Sequence, residues 1–387
     1  MLKRFNINII STLLSMNIFS QGDKLPPKLM LEIDKAIAIN TDISIDYFDD
    51  YLKKYPSSDY LVGIKAYFMC YNQSKDSAFT FLDSALKNNN QLEESSYINL
   101  ARGAIKNQEG NIHEATKYFL KSIELDKEKI NKWVLLELYY LHEITDSSVA
   151  LDYLNKALKI DGCFAIVLYE LSNYYYKKER FKDALERAND CIRCSPKYIQ
   201  AYNQKALVLI ELQKYDDAIN QYNQVFKIDK GDIEAILGVA YIHQYFIKDH
   251  DLSGKYYKEA LKIDANNFAA CKGLGMIASE RGECKTAIDY LQKAILIYED
   301  NEVAIELLYC FVAEEKIDKA KELYIKLSEK SVKDKRILLF DILIDHLSGN
   351  KNFVIEKVNI FKKTQSHEDF LWLEQQLGHW NIDLIPQ

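Results

Sequence analysis

Two cysteines stand three residues apart in the run Cys191-Ile-Arg-Cys194. A pair at that spacing lies one helical turn apart and could exchange disulfides, given a lowered thiol pKa at one member. It could also supply half of a tetrahedral zinc site, but no second pair exists to complete it. Both positions also fall where the surrounding pattern wants a small or apolar residue, so packing is the leading reading and redox or metal work the other. The seven cysteines, at 70, 163, 191, 194, 271, 284 and 310, are odd in number and irregular in spacing. They imply no disulfide framework.

Other chemistry-bearing residues are equally sparse in pattern. The seven histidines form no pair one turn apart with an intervening glutamate, and His243 falls on an apolar stripe, which makes it a satisfied interior imidazole. Gly273-Leu-Gly275 sits inside a helical pattern rather than at a strand-to-helix turn, so it is no phosphate cradle. Paired acids such as Asp216-Asp217 open helices, where they suit the helix dipole. No serine lies on an elbow motif. Catalytic residues: none; metal ligands: none; cofactors: none. The expectation is a non-enzymatic chain.

Stepping outward, the elements are helices. Glycine (13) and proline (5) are scarce over 387 residues, and 28% of residues are charged. That composition belongs to long helices with short connections. The net charge of −7 leaves no basic surplus to neutralise phosphates, which argues against nucleic-acid partners.

An alanine recurs along the chain. It stands at Ala78, Ala115, Ala150, Ala184, Ala218, Ala287 and Ala320, with Ser253 as the one exception, at spacings of 37, 35, 34, 34, 35, 34 and 33. Large residues follow four positions later (Leu82, Phe119, Leu154, Tyr222, Tyr257, Leu291), and small ones seven later (Ala85, Ser122, Ala157, Cys191, Ala260, Ala294). Those offsets draw one stripe on a helix. A second amphipathic helix precedes each alanine, for example Tyr202, Ala206 and Leu209. Each unit is therefore a helical hairpin of about 34 residues, and one hairpin cannot bury both its faces, so neighbours must stack.

The period and the order of small, aromatic and proline positions resemble tetratricopeptide repeats. The resemblance covers residues 26–334 and is strongest over 131–164, 165–198, 199–232, 233–267 and 268–301. Cys194-Ser195-Pro196 supplies the family's terminal proline. The structural repeat positions are thus Ala115, Ala150, Ala184, Ala218, Ala287 and Pro196. The implied fold is all-α, an α-solenoid forming a right-handed superhelix of about nine antiparallel hairpins. Residues 1–20 read as a possible signal peptide, with Lys3 and Arg4 before a mildly apolar stretch. Residues 21–58 read as a linker and degenerate capping hairpin, 59–334 as the array, and 335–387 as a C-terminal capping hairpin and helix.

The resemblance also implies what the chain does. Such repeats bind protein segments along the inner face of their first helices. Some members grip acidic C-terminal tails with lysines and arginines. The matching register here gives Tyr169 and Asn173, then Gln204, then Glu234 and Gly238, so that clamp is absent. What the inner face offers is mostly aromatic and amide, with one lysine: Tyr139, Tyr169, Asn173, Tyr176, Asn203, Tyr241, Tyr245 and Lys272. The expected function is a protein–protein interaction scaffold taking peptides in a tyrosine-rich groove. The alternative is an accessory subunit of a bacterial envelope assembly or secretion complex; an RNA-reading repeat ranks lower. The partner is a protein or peptide, with no nucleic acid, no stable membrane span, and a monomer or weak homodimer. Localisation leans to export, periplasmic or secreted, with cytoplasm as the alternative. Removal of residues 1–20 would shift the charge from −7 to −9 by loss of Lys3 and Arg4.

Overall fold

A computed structural model of the chain describes residues 25–30, 32–33, 45–125, 131–330, 334–380 and 382. The N-terminal segment 1–20 lies outside them. Among the described residues every regular element is a helix. The chain divides into two units, residues 1–212 and 213–387.

In the first unit, residues 27–30 are helical. Ten longer helices follow: α1 (Asp46–Lys54), α2 (Asp59–Asn72), α3 (Lys75–Asn88), α4 (Ser96–Gln108), α5 (Ile112–Leu125), α6 (Lys132–His142), α7 (Ser147–Ile160), α8 (Ala165–Lys177), α9 (Phe181–Cys194) and α10 (Ile199–Glu211). The second unit holds α11 (Tyr215–Ile228), α12 (Ile233–Ile242), α13 (His250–Ile263), α14 (Phe268–Glu280), α15 (Cys284–Ile297), α16 (Asn301–Ala313), α17 (Ile317–Lys330), α18 (Lys335–Leu347), α19 (Lys351–Thr364) and α20 (His367–His379). Within each unit consecutive helices pack as antiparallel hairpins, α2 with α3 through α8 with α9, and α12 with α13 through α18 with α19. The division falls inside one sequence repeat, between α10 and α11.

The recurring small residue explains the stacking. Ala78, Ala115, Ala150, Ala184, Ala218, Ser253, Ala287 and Ala320 are all 0% exposed. Hydroxyls bond across the same contacts: the Ser172 hydroxyl of the facing helix donates to the Ala184 carbonyl at 2.8 Å, and the Ser253 hydroxyl itself to that of Ala240 at 2.8 Å. Pro196, by contrast, is exposed; it ends a helix rather than packing.

The large residue four positions after each small one needs a hole, and glycine supplies several. A Cβ on Gly103 would lie 2.3 Å from the Phe119 ring, on Gly238 2.2 Å from Tyr222, on Gly273 2.3 Å from Tyr257, and on Gly275 2.6 Å from Leu291. Gly103 and Gly275 receive the ring or side chain from within their own hairpin; Gly238 and Gly273 receive it from the preceding helix. One approach in the first unit is backbone to backbone: a Cβ on Gly63 of α2 would meet the Tyr97 carbonyl carbon of α4 at 2.5 Å.

Hairpin turns are also periodic. A residue with positive φ occurs at Gly110, Glu179, Gln213, Lys248, Gly282, Glu315 and Gly349. At Glu179 the amide bonds Tyr176 O (2.9 Å) while the next amide, Arg180, reaches back to Tyr175 O (2.9 Å), the six-to-one closure that satisfies the last carbonyls of a helix. The irregular spacings have local causes. The 37-residue unit carries an extra 3₁₀ turn, Asn90–Glu94. The 35-residue unit ending at Ser253 takes up its extra residue as a π turn, His243–Ile247, closed by Lys248 at φ 64°.

At the C-terminus the Ser366 hydroxyl accepts from the Asp369 amide at 3.1 Å and starts α20. That helix runs through Gly378 to His379. Trp372 and Trp380 pack half-buried against the apolar core of residues 271–382.

These contacts set opposite signs for two glycine substitutions in neighbouring helices. Gly254→Ala adds a Cβ whose nearest neighbour is 4.0 Å away, so it should stabilise by about 0.5–1 kcal/mol through helix propensity. Gly273→Ala must displace the Tyr257 ring and should destabilise by roughly 1–3 kcal/mol. Thermal and urea unfolding of the two variants checks both signs.

Candidate functional site

The first unit puts its inner-face tyrosines to structural use. The hydroxyls of Tyr67 and Tyr71 on α2 donate to the two carboxylate oxygens of Glu137 on α6, at 2.5 and 2.9 Å. The Tyr140 hydroxyl donates to Glu170 on α8 at 2.8 Å, with Tyr139 at 3.4 Å. Tyr176 donates to Glu211 at 3.0 Å. Each rung ties one first helix to a later one. Lys177 adds an ion pair to Glu143 at 2.6 Å, an exposed contact of little energetic weight.

Glu137 and Glu170 are buried carboxylates. Burial raises both above the ordinary glutamate range, against the tyrosine donors that favour the charged form. The phenols of Tyr67, Tyr71, Tyr139 and Tyr140 are raised by burial first and by the adjacent carboxylates second, so they remain donors. Sequence reasoning passed over these acids. The available signal was a lone glutamate inside each apolar run, WVLLELYYL and AIVLYELS.

The expected groove residues therefore separate. Tyr139 is 0% exposed and is a wall, not a contact surface, because its ring fills the packed face of α6. Asn203 is buried on α10. Tyr169 and Asn173 are half-buried, with the Tyr169 ring edge-on to Tyr198 at 5.8 Å. Lys272 lies half-buried across the Phe268 ring, its Nζ 3.0 Å from Asp300; its charge is already matched. These residues belong to two units, and each set stands by itself.

In the second unit the picture differs. Tyr241 is 44% and Tyr245 36% exposed, one turn apart with ring centroids 4.8 Å from each other. Phe246 stacks on Tyr215 at 4.3 Å and meets Tyr241 edge-on at 5.7 Å. Ile247 is also exposed. The π turn causes this arrangement. It keeps Gln244 buried, accepting from the Tyr257 hydroxyl at 2.9 Å, while the next three residues, Tyr245, Phe246 and Ile247, stand outward together. His243 is half-buried beside the Tyr256 ring, and its Nδ1 makes no hydrogen bond among the described residues. Tyr215, Phe246 and Ile247 were missed because a regular helix would have scattered them; the 35-residue spacing was the clue.

The cysteines correct the sequence reading. Cys163 and Cys194 form a disulfide, with Cα atoms 5.3 Å apart. Cys194 is therefore cross-linked rather than filling an apolar slot. Its partner is 31 residues away in sequence, and the antiparallel hairpin of α8 and α9 closes that distance. Cys191 does pack: it is buried with Sγ 3.1 Å from the Ala165 carbonyl, and burial pushes its thiol up to about 12. A thiol so placed is a poor nucleophile. Among the described residues, no group of three or more His, Cys, Asp or Glu could hold a metal ion, and no helix is long and apolar enough to cross a membrane.

Comparison with known proteins places the chain. The tetratricopeptide repeat family model matches residues 96–129 and 199–232. A repeat-containing protein of Methanocaldococcus jannaschii is 26% identical over 223 residues, covering 51% of this chain and 38% of the relative. The Hsp70-Hsp90 organising protein of Plasmodium falciparum is 30% identical over 105 residues, covering 24% of this chain and 18% of the relative. The matched stretches thus span well under half of these relatives. Among solved structures, the Pseudomonas aeruginosa protein pilF aligns with TM-score 0.48 at 14% identity, over 55% of this chain and 97% of its own. The chain thus carries tetratricopeptide repeats at residues 96–129 and 199–232.

A pH test isolates the Glu137 rung. The raised pKa means that the folded state favours the neutral acid, so the contribution is fully present below the unfolded value, about 4.3, and is lost as pH rises through the folded value. Glu137→Gln cannot ionise. The urea midpoint of the natural chain should therefore fall relative to that of the variant as pH rises from about 4; parallel midpoint curves would show that Glu137 is not raised.

Proposed function

We propose that this tetratricopeptide-repeat chain is a protein–protein interaction scaffold that catalyses nothing itself, and that Tyr215, Tyr241, Tyr245, Phe246 and Ile247 take an extended peptide segment rich in apolar side chains. The observation that carries this reading is the exposure of Tyr241 and Tyr245 side by side, where Tyr67, Tyr71, Tyr140 and Tyr176 of the first unit spend their hydroxyls on carboxylates. Tyrosine offers a large contact area with few torsions to freeze and a polar tip for the peptide backbone. Five such side chains, mostly aromatic, form a neutral surface, so binding there should depend little on salt.

Photocrosslinkers at positions 245 and 176 test the assignment. Position 245 should capture a partner segment in the native cell and position 176 should not. With that segment as a synthetic peptide, Tyr241→Ala combined with Tyr245→Ala should weaken binding at least about tenfold, or about 1.4 kcal/mol. Tyr169→Ala should leave it within about twofold. Equal losses would remove the patch as the binding surface.

The exported, envelope-associated reading gains one supporting observation. The Cys163–Cys194 disulfide belongs to an oxidising compartment, where such bonds form and persist. The five free cysteines are all buried, which protects them from oxidation there. Alkylation and peptide mapping of natively produced protein, without reduction, should return the 163–194 cross-linked pair, with the other cysteines modified after denaturation. Seven alkylated thiols would overturn the export reading.

A further inference from the structure

A cleft of about 260 Å³ opens in the first unit between α3, the 3₁₀ turn Asn90–Glu94, α4 and α5. Its floor is apolar: Leu82 and Ile105 are each 3% exposed. Phe79, 59% exposed, stands at the mouth. An exposed phenylalanine over an apolar floor leaves a surface that a ligand could cover.

The charged lining is unevenly matched. Lys87 pairs with Asp83 at 2.6 Å, and Lys106 with Glu109 at 2.8 Å. Arg102 comes no nearer to Glu93 than 3.5 Å and makes no shorter polar contact among the described residues. A half-buried guanidinium holds several donors in a rigid fork that fits a carboxylate in two parallel bonds. Here that fork faces the cleft with no bidentate acceptor. Lys87, Arg102 and Lys106 each face one acid, Asp83, Glu93 and Glu109, so the charges balance and Arg102 holds the longest of the three pairings. Glu93 is 56% exposed, so solvent screens its repulsion of an incoming anion.

We propose that this cleft binds an apolar-bodied carboxylate, with the carboxylate on the Arg102 guanidinium and the apolar body against Leu82, Ile105 and Phe79. The volume lies just below the roughly 300–1,000 Å³ of small-molecule sites, which limits the ligand to about one aromatic ring with a short acid arm. The same chemistry is presented by a free aryl-alkyl acid and by the C-terminal residue of a peptide. The cleft is separate from the aromatic patch of the second unit and does not depend on its role.

Calorimetric titration of the full chain with 3-phenylpropanoate and with N-acetyl-L-phenylalanine, each beside its carboxamide, tests the site. At least one acid should bind, and its carboxamide at least about tenfold more weakly. Arg102→Gln should remove that preference while leaving the melting temperature unchanged. Glu93→Gln, which frees Arg102 and deletes a negative charge, should tighten the acid severalfold. Binding of N-acetyl-L-phenylalanine alone assigns the site to peptide termini, and of 3-phenylpropanoate alone to free acids; both carry the proposal. No binding at about 5 mM of either acid, a free energy weaker than about 3 kcal/mol, or an acid preference that survives Arg102→Gln, overturns it.

Discussion

Two helices can lie side by side only as closely as their side chains allow, and in this chain that distance is fixed by residues with almost no side chain. The small residue at the head of every second helix is fully buried in all eight units. Where the neighbour carries a ring, the facing position loses even its Cβ, as at Gly103, Gly238 and Gly273. Protein interiors are packed densely enough that one methyl is felt, so each such contact is a lock with one fitting key. Hairpins stack mainly on their neighbours, so the stability of a unit is approximately the sum of its hairpins and the interfaces between them.

Constraint at the contacts leaves freedom at the turns. Four of the seven positive-φ turn residues are not glycine, namely Glu179, Gln213, Lys248 and Glu315, although that conformation costs an L-residue about 1–2 kcal/mol. The hydrogen bonds that close each helix end offset the cost. Extra residues are likewise placed where they disturb no interface. The 3₁₀ turn at Asn90–Glu94 lengthens a connection, and the π turn at His243–Ile247 widens the end of a helix. In both cases the alanine or serine that follows still reaches its buried position. The spacing of the small residue thus varies in sequence while its place in the packing does not.

That difference decides what could be read from residues alone. Packing repeats itself, so Ala184 or Ala287 announces its neighbours by position, and the all-helical hairpin architecture was legible throughout. Pairings that cross from one repeat to another carry no period. Nothing in the letters marks Glu137 as the acceptor of two tyrosines some seventy positions earlier, or Cys163 as the partner of Cys194. Tyr139 and Tyr241 occupy equivalent register in their helices, yet one is sealed in the wall and the other stands in solvent. The register gives the direction of a side chain; what lies in that direction is set by the neighbouring repeat.

The tyrosines make the functional consequence concrete. A phenol beside a buried carboxyl group has its hydroxyl committed, and withdrawing it would leave a buried polar group without its partner. Tyr67, Tyr71 and Tyr140 therefore cannot turn toward a ligand without breaking the array. Tyr241 holds Tyr245 and Phe246 by ring contacts, which a passing peptide can replace with contacts of the same kind. The π turn leaves three consecutive large side chains, Tyr245, Phe246 and Ile247, exposed beside Tyr241. The repeat builds the wall, and the departure from the repeat exposes a surface on it.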